Sequence, residues 1–144
     1  MAKLLVEYSC GLKRGEVLLL DMIDVPDEMT VALIRAARAS GGIPLVEVRH
    51  SRVTREIHRG TDRAHAALVR DVEMARMKRV DAYIAIRGAH NASEGSDVPP
   101  EAQKLFAKTL RPVIDRRVNS TKWCVLRWPT PSMAQARSEE HTSE

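Results

Sequence analysis

"EVLLLDMIDVPDEMTVALIRAARASGGIPLVEV", residues 16–48, decides the fold. It opens on an unbroken apolar run, Val17 to Leu20, of the kind a strand carries when both its faces are covered, as in a parallel sheet. Pro26 then starts a helix, where its missing N–H costs nothing. Asp27 and Glu28 fill the first turn, where the helix dipole favours negative charge. Met29, Ala32, Leu33, Ala36, Ala37 and Ser40 share one face of that helix, and Gly41-Gly42 stops it. "IPLVEV", residues 43–48, reads as the next strand. Strand, helix and strand in this order form a βαβ unit.

The pattern repeats along the chain. Upstream, "KLLVEYSC" (3–10) reads as a short helix ended by Gly11. Downstream, Thr61 is placed to cap a helix over 61–78, with Ala64, Ala67, Leu68, Val72 and Ala75 on one face. "DAYIAI" (81–86) is a third strand, and "RGAHNASEGSD" (87–97) a polar loop at its carboxyl end. Pro99-Pro100-Glu101 starts a helix running to Leu110; residues 111–118 fit either helix or strand; Trp123 to Trp128 is the fourth strand. Helices alternating with apolar strands imply an α/β layered domain, with a mainly parallel sheet flanked by helices and right-handed crossovers.

The totals fit that reading. The 144 residues suit one domain, and the 44% hydrophobic and 29% charged content is that of a water-soluble globular chain. No apolar run approaches the roughly 18 residues of a membrane span, and the start lacks the features of a secretory leader, so the expected location is cytoplasmic, with no membrane partner. The net charge of +4 comes from scattered residues, without a basic stripe or interleaved aromatics. Nucleic acid is therefore not an expected partner. Cys10 and Cys124 are the only cysteines. They have no metal-type spacing and are expected to be free and partly buried.

Chemistry is harder to find. Open α/β sheets bind ligands beyond the carboxyl ends of their strands, here Asp21–Asp24, Arg49–Arg52 and 87–97. The third is the most polar, and Arg87, His90, Asn91 and Glu94 are its candidate cleft-lining residues. It has glycines but no phosphate-cradling motif. Asp21 and Asp24 could face a cation, although a helix start accounts for Asp24. The histidines form no ligand pair, with His58 ahead of its nearest helix, and they read as solvated. Asp115, Arg116 and Arg117 read as a surface ion-pair cluster. From the residues alone, the chain is an α/β domain without a visible catalytic or metal site.

Three longer stretches add a resemblance. Residues 4–57, 72–99 and 121–136 resemble, in one order, the N-terminal domain of the M29 family of metallo-aminopeptidases, the thermophilic-type aminopeptidases. "VEYSCGLKRGE" (6–16) and "KWCVLRWPTPSMAQ" (122–135) are the more distinctive pieces. The resemblance implies an α/β domain and a full-length hydrolase that removes N-terminal residues from peptides. It implies two divalent metal ions per site (zinc, cobalt or similar), which activate water and polarise the peptide carbonyl. It also implies a peptide substrate and a homodimer. The family's ligands and general base lie in the C-terminal domain, so no catalytic, cofactor-binding or metal residue is carried onto this chain and no metal is expected bound to it. The expected organisation is a domain over 1–136 that is an incomplete protein, inactive alone. The final "RSEEHTSE" (137–144) resembles translated sequencing adapter and is expected to be a non-native tail. Without the catalytic domain, Trp128 and Met133 are candidates for exposed apolar surface. The alternative is a stand-alone α/β ligand-binding or dimerisation module without catalysis.

Overall fold

The computed structural model describes residues 1–88 and 98–128. The apolar run at residue 17 extends into β1, Val17–Ile23, whose residues from Leu18 onward are all buried. β2 (Ile43–Arg49) and β3 (Ala82–Gly88) pair with it in parallel, one on each side, and β4 (Lys122–Trp128) pairs in parallel with β3. The strand order is β2-β1-β3-β4. This is the α/β sheet flanked by helices that the sequence predicts.

Among the described residues, five helical segments flank the sheet. α1 (Ala2–Leu4) continues as one π-helical turn, Leu5–Ser9. α2 spans Asp27–Ala39, α3 Ser51–Arg59, α4 Arg63–Met77 and α5 Pro100–Ser120. Side chains alternate across each strand, so two apolar layers form. On one face, Leu18, Leu20 and Met22 of β1 and Ile84 and Ile86 of β3 meet Val6, Leu33 and Ala37. On the other, Leu19, Tyr83 and Ala85 meet Met77, Val80 and Val113. Cys10 and Cys124 are both free, as predicted. Both belong to the first layer, and burial, then the proximity of Cys124, pushes the Cys10 thiol up to about 11.

Several local expectations are corrected. Residues 51–59 form α3, so His58 lies inside a helix. Thr61 does not cap α4: its hydroxyl donates to the Ile57 carbonyl at 2.7 Å, while the Asp62 carboxylate accepts from the His65 N–H at 2.8 Å as the cap. The α4 stripe of Ala64, Leu68, Val72 and Ala75 faces outward, with Leu68 62% and Val72 57% exposed. Periodicity locates an apolar face without saying what covers it, and α4 turns Ala66 and Met77 inward instead. α5 runs straight through the ambiguous 111–118 segment, with Pro112 on its exposed side. Trp128 is partly buried against the first layer, whereas Trp123, five residues earlier and so on the opposite face, is exposed; Met133 lies outside the described residues.

The carboxyl end of β1 has its own local device. Asp24 sits at φ +55°, and its carboxylate accepts from the Ser51 N–H at 3.2 and 3.3 Å. It therefore caps α3; α2, which its sequence position suggested, has no side-chain cap. Gly88 ends β3 against this turn, and a Cβ there would lie 2.5 Å from the Asp24 carbonyl oxygen. Backbone occupies that space and cannot swing away. Gly88→Ala is expected to cost about 1–3 kcal/mol, the usual range for overpacking, read as a lower urea midpoint at unchanged m-value.

Candidate functional site

The second face of the sheet does not close completely. Towards the carboxyl ends of the strands, α3, α4 and α5 lean over the sheet around a cavity of about 370 Å³. Its floor is the outward-pleated set of three strands: Leu19 and Asp21 from β1, Glu47 and Arg49 from β2, Tyr83 and Arg87 from β3. Alternation along each strand places these on one face, because parallel register sets Asp21 beside Glu47 and Leu19 beside Tyr83. The helices add an apolar wall of Ile57, Val69, Phe106, Leu110 and Ile114, and the polar groups His58, His65, Glu73, Arg76 and Arg117.

Asp21 is the centre of the floor and is only 4% exposed. Arg49 Nη2 donates to both of its carboxylate oxygens, at 2.6 and 2.7 Å, and Arg49 Nε donates at 3.1 Å. The Tyr83 hydroxyl donates to Oδ2 at 2.7 Å. Burial is the largest influence on this carboxyl and opposes its ionisation. The Arg49 charge and hydrogen bonds, the Tyr83 hydroxyl and the more distant Arg87 together outweigh it and hold Asp21 below the usual carboxylate range. Burial and the Asp21 charge push the Tyr83 phenol well up, so it stays a donor. The Arg117 guanidinium carbon lies 4.0 Å from the centre of the Tyr83 ring, a cation–π contact.

A second charged group stands at the α4 side, where Arg76 Nη2 bridges the carboxylates of Glu47 and Glu73. His58 packs on Phe106 with ring centroids 4.3 Å apart. Burial, then the Arg49 charge, lowers its affinity for a proton.

Of the predicted cleft residues, Arg87 lines this cavity, while His90, Asn91 and Glu94 lie outside the described residues. The possible cation pair at the end of β1 is not one. Asp21 is engaged by Arg49 and Tyr83, and Asp24 by the start of α3. The Asp115–Arg116–Arg117 cluster also separates: Asp115 faces Arg111 at 4.0 Å, and Arg117 turns under the helix to Tyr83. Arg49, Tyr83, Arg76 and Arg117 were not picked out as one site. Arg49 and Tyr83 carried a signal as polar residues facing one side of their strands, which only the register brings together; Arg76 and Arg117 lie on α4 and α5 and carried none.

The sequence profile of the thermophilic metalloprotease family, M29, matches residues 1–144. The chain belongs to the M29 family. No curated protein sequence matches it. Solved structures with a similar fold include wild-type AmpT from Thermus thermophilus, with a TM-score of 0.70 at 18% identity. The match covers 94% of this chain and 36% of that one, so this M29 chain spans well under half the length of AmpT. At that identity the likeness is one of fold.

The family name implies a metal. Among the described residues, no group of three or more His, Cys, Asp or Glu side chains is placed to hold one. The best-placed carboxylate, Asp21, is already saturated by guanidinium and phenol donors, and arginines surround it. This donor set does not fit a divalent cation.

Two outcomes follow for the cavity. Arg49→Met leaves Asp21 buried with Tyr83 alone. Breaking a buried pair costs about 3–5 kcal/mol; Arg49 is one-third exposed, so the expected loss is near 3 kcal/mol. Because the folded carboxyl titrates below its unfolded value of about 3.9, its stabilisation is complete above that pH and is lost on acidification through the folded value. Urea titrations between about pH 5 and pH 2 are expected to show that acid loss in the parent chain and not in Arg49→Met. His58 shifts the other way in charge. Its folded value lies below the unfolded 6.5, so the fold favours the neutral ring and weakens as pH falls below 6.5. His58→Gln is expected to flatten the stability profile between about pH 7 and pH 5; an unchanged slope there would assign the weakening to another group.

Proposed function

We propose that residues 1–136 are the N-terminal α/β domain of a metal-dependent aminopeptidase that removes N-terminal residues from peptides. The observation that carries this is the M29 match along the chain. On this reading the two divalent ions and the hydrolytic step belong to sequence beyond residue 136, and the full-length enzyme is a homodimer. Residues 137–144 are then not part of the enzyme.

The surface is consistent with a domain that packs against more protein. Leu68 and Val72 of α4, Ile43 and Val48 of β2, and Trp123 and Val125 of β4 are all exposed, several of them by half or more. These side chains are available for packing against further protein.

The test compares two proteins. Purified residues 1–144 with added zinc or cobalt are expected to release no detectable p-nitroaniline from leucine p-nitroanilide. A chain continued from the genomic coding sequence past codon 136 is expected to release it, and to stop when chelator is added. Metal-dependent release by residues 1–144 alone would overturn the assignment of the chemistry to the missing part.

A further inference from the structure

Among the described residues, the cavity has more cations than acids to match them. Four described guanidinium groups line it, from Arg49, Arg76, Arg87 and Arg117, against three described carboxylates, from Asp21, Glu47 and Glu73. All three acids are engaged. Asp21 is bound by Arg49, and Glu47 and Glu73 are both bound by Arg76. That leaves Arg87 and Arg117. Neither has an ion pair with a described acid, and Arg117 Nε is buried without a hydrogen-bond partner among the described residues.

The two cations belong to one locality. Arg117 lies against the ring of Tyr83, and the charges of both Arg87 and Arg117 are felt at the Tyr83 hydroxyl. A guanidinium is a rigid fork of donors that matches a planar carboxylate with two parallel hydrogen bonds. Beside it the cavity wall is apolar, made by Ile57, Phe106, Leu110 and Ile114. Such a combination, a few convergent polar groups on an apolar lining, is the usual composition of a small-molecule pocket, and about 370 Å³ falls within the usual size.

We propose that this cavity binds a small organic carboxylate, its charged end at Arg87 and Arg117 and its apolar body against Phe106 and Ile57. The apolar wall selects against an inorganic anion, which would lose hydration there without gaining contacts. The proposal concerns residues 1–144 as they stand and does not depend on peptide hydrolysis.

Isothermal titration calorimetry of the 144-residue chain with 4-methylpentanoate, 4-methylpentanamide and inorganic phosphate tests it. The carboxylate is expected to bind at least tenfold tighter than either of the others. Arg117→Gln and Arg87→Gln are each expected to weaken it at least tenfold. Circular dichroism reports whether each variant is folded. If Arg117→Gln is not, because it loses the contact with Tyr83, Arg87→Gln carries the test, since Arg87 has no described partner to lose. Equal binding of the amide, equal or tighter binding of phosphate, unchanged affinity in the folded variants, or no binding of the carboxylate overturns the proposal.

Discussion

A charge on the central strand of a doubly covered sheet organises much of this domain. β1 is buried on both faces, yet its fifth residue is Asp21. An unpaired carboxylate there would cost several kcal/mol, or would give up its charge. The structure answers with Arg49 from the edge strand and Tyr83 from the other neighbour. Those two choices spread outward. Tyr83 becomes the platform for Arg117 of α5, and the Arg49 charge bears on His58 in α3. A buried ion pair is weak evidence for stability, but it is strict about register. A slip of one residue in β1 would turn Asp21 into the apolar layer against α2, where Leu20 and Met22 now sit.

The two faces of the sheet consequently differ in kind. Under α1 and α2 the layer is apolar throughout, and its largest members are fully buried. Under α3, α4 and α5 it is apolar only near the amino ends of the strands, around Met77, Val80 and Val113. Towards the carboxyl ends, charged side chains line the floor of the cavity between sheet and helices. Ligands in open α/β sheets are expected beyond the strand carboxyl ends, and the polar half of this layer lies at that end.

The fold was legible because its signals are local. Pro26, the acidic first turn and Gly41-Gly42 bound α2 without help from the rest of the chain. Where local signals were weak or misleading, reading failed for identifiable reasons. "SRVTREIHR" has only Val53 and Ile57 as apolar residues, both exposed, so α3 has no apolar stripe to announce it; its cap is a side chain 27 residues away, Asp24. Residues 111–118 fitted either helix or strand, yet α5 continues through them, with Pro112 carried on the exposed side of a long helix. The site was less legible still. Arg49, Tyr83 and Arg117 are unremarkable in sequence, and only parallel register and the placement of α5 bring them around Asp21. What parity along the strands could have flagged was a run of polar residues all falling on one face: Asp21, Glu47, Arg49, Tyr83 and Arg87.

The same balance of charge bears on metal chemistry and on ligand choice. A divalent cation needs carboxylates or imidazoles with free lone pairs, and it is repelled by neighbouring cations. Here each carboxylate of the cavity already accepts from a guanidinium, and two further guanidiniums stand nearby. Protonation of His58 would only add to the positive side. Removing one arginine would not create a cation site either, because it would leave a buried carboxylate whose easiest response is to take up a proton. An anion meets the opposite situation. It finds Arg117 with its Nε already buried and its guanidinium packed on Tyr83, so that side chain has less rotamer freedom to lose on binding. A metallopeptidase domain arranged in this way keeps metal-binding chemistry out of its own cavity while leaving that cavity receptive to a carboxylate.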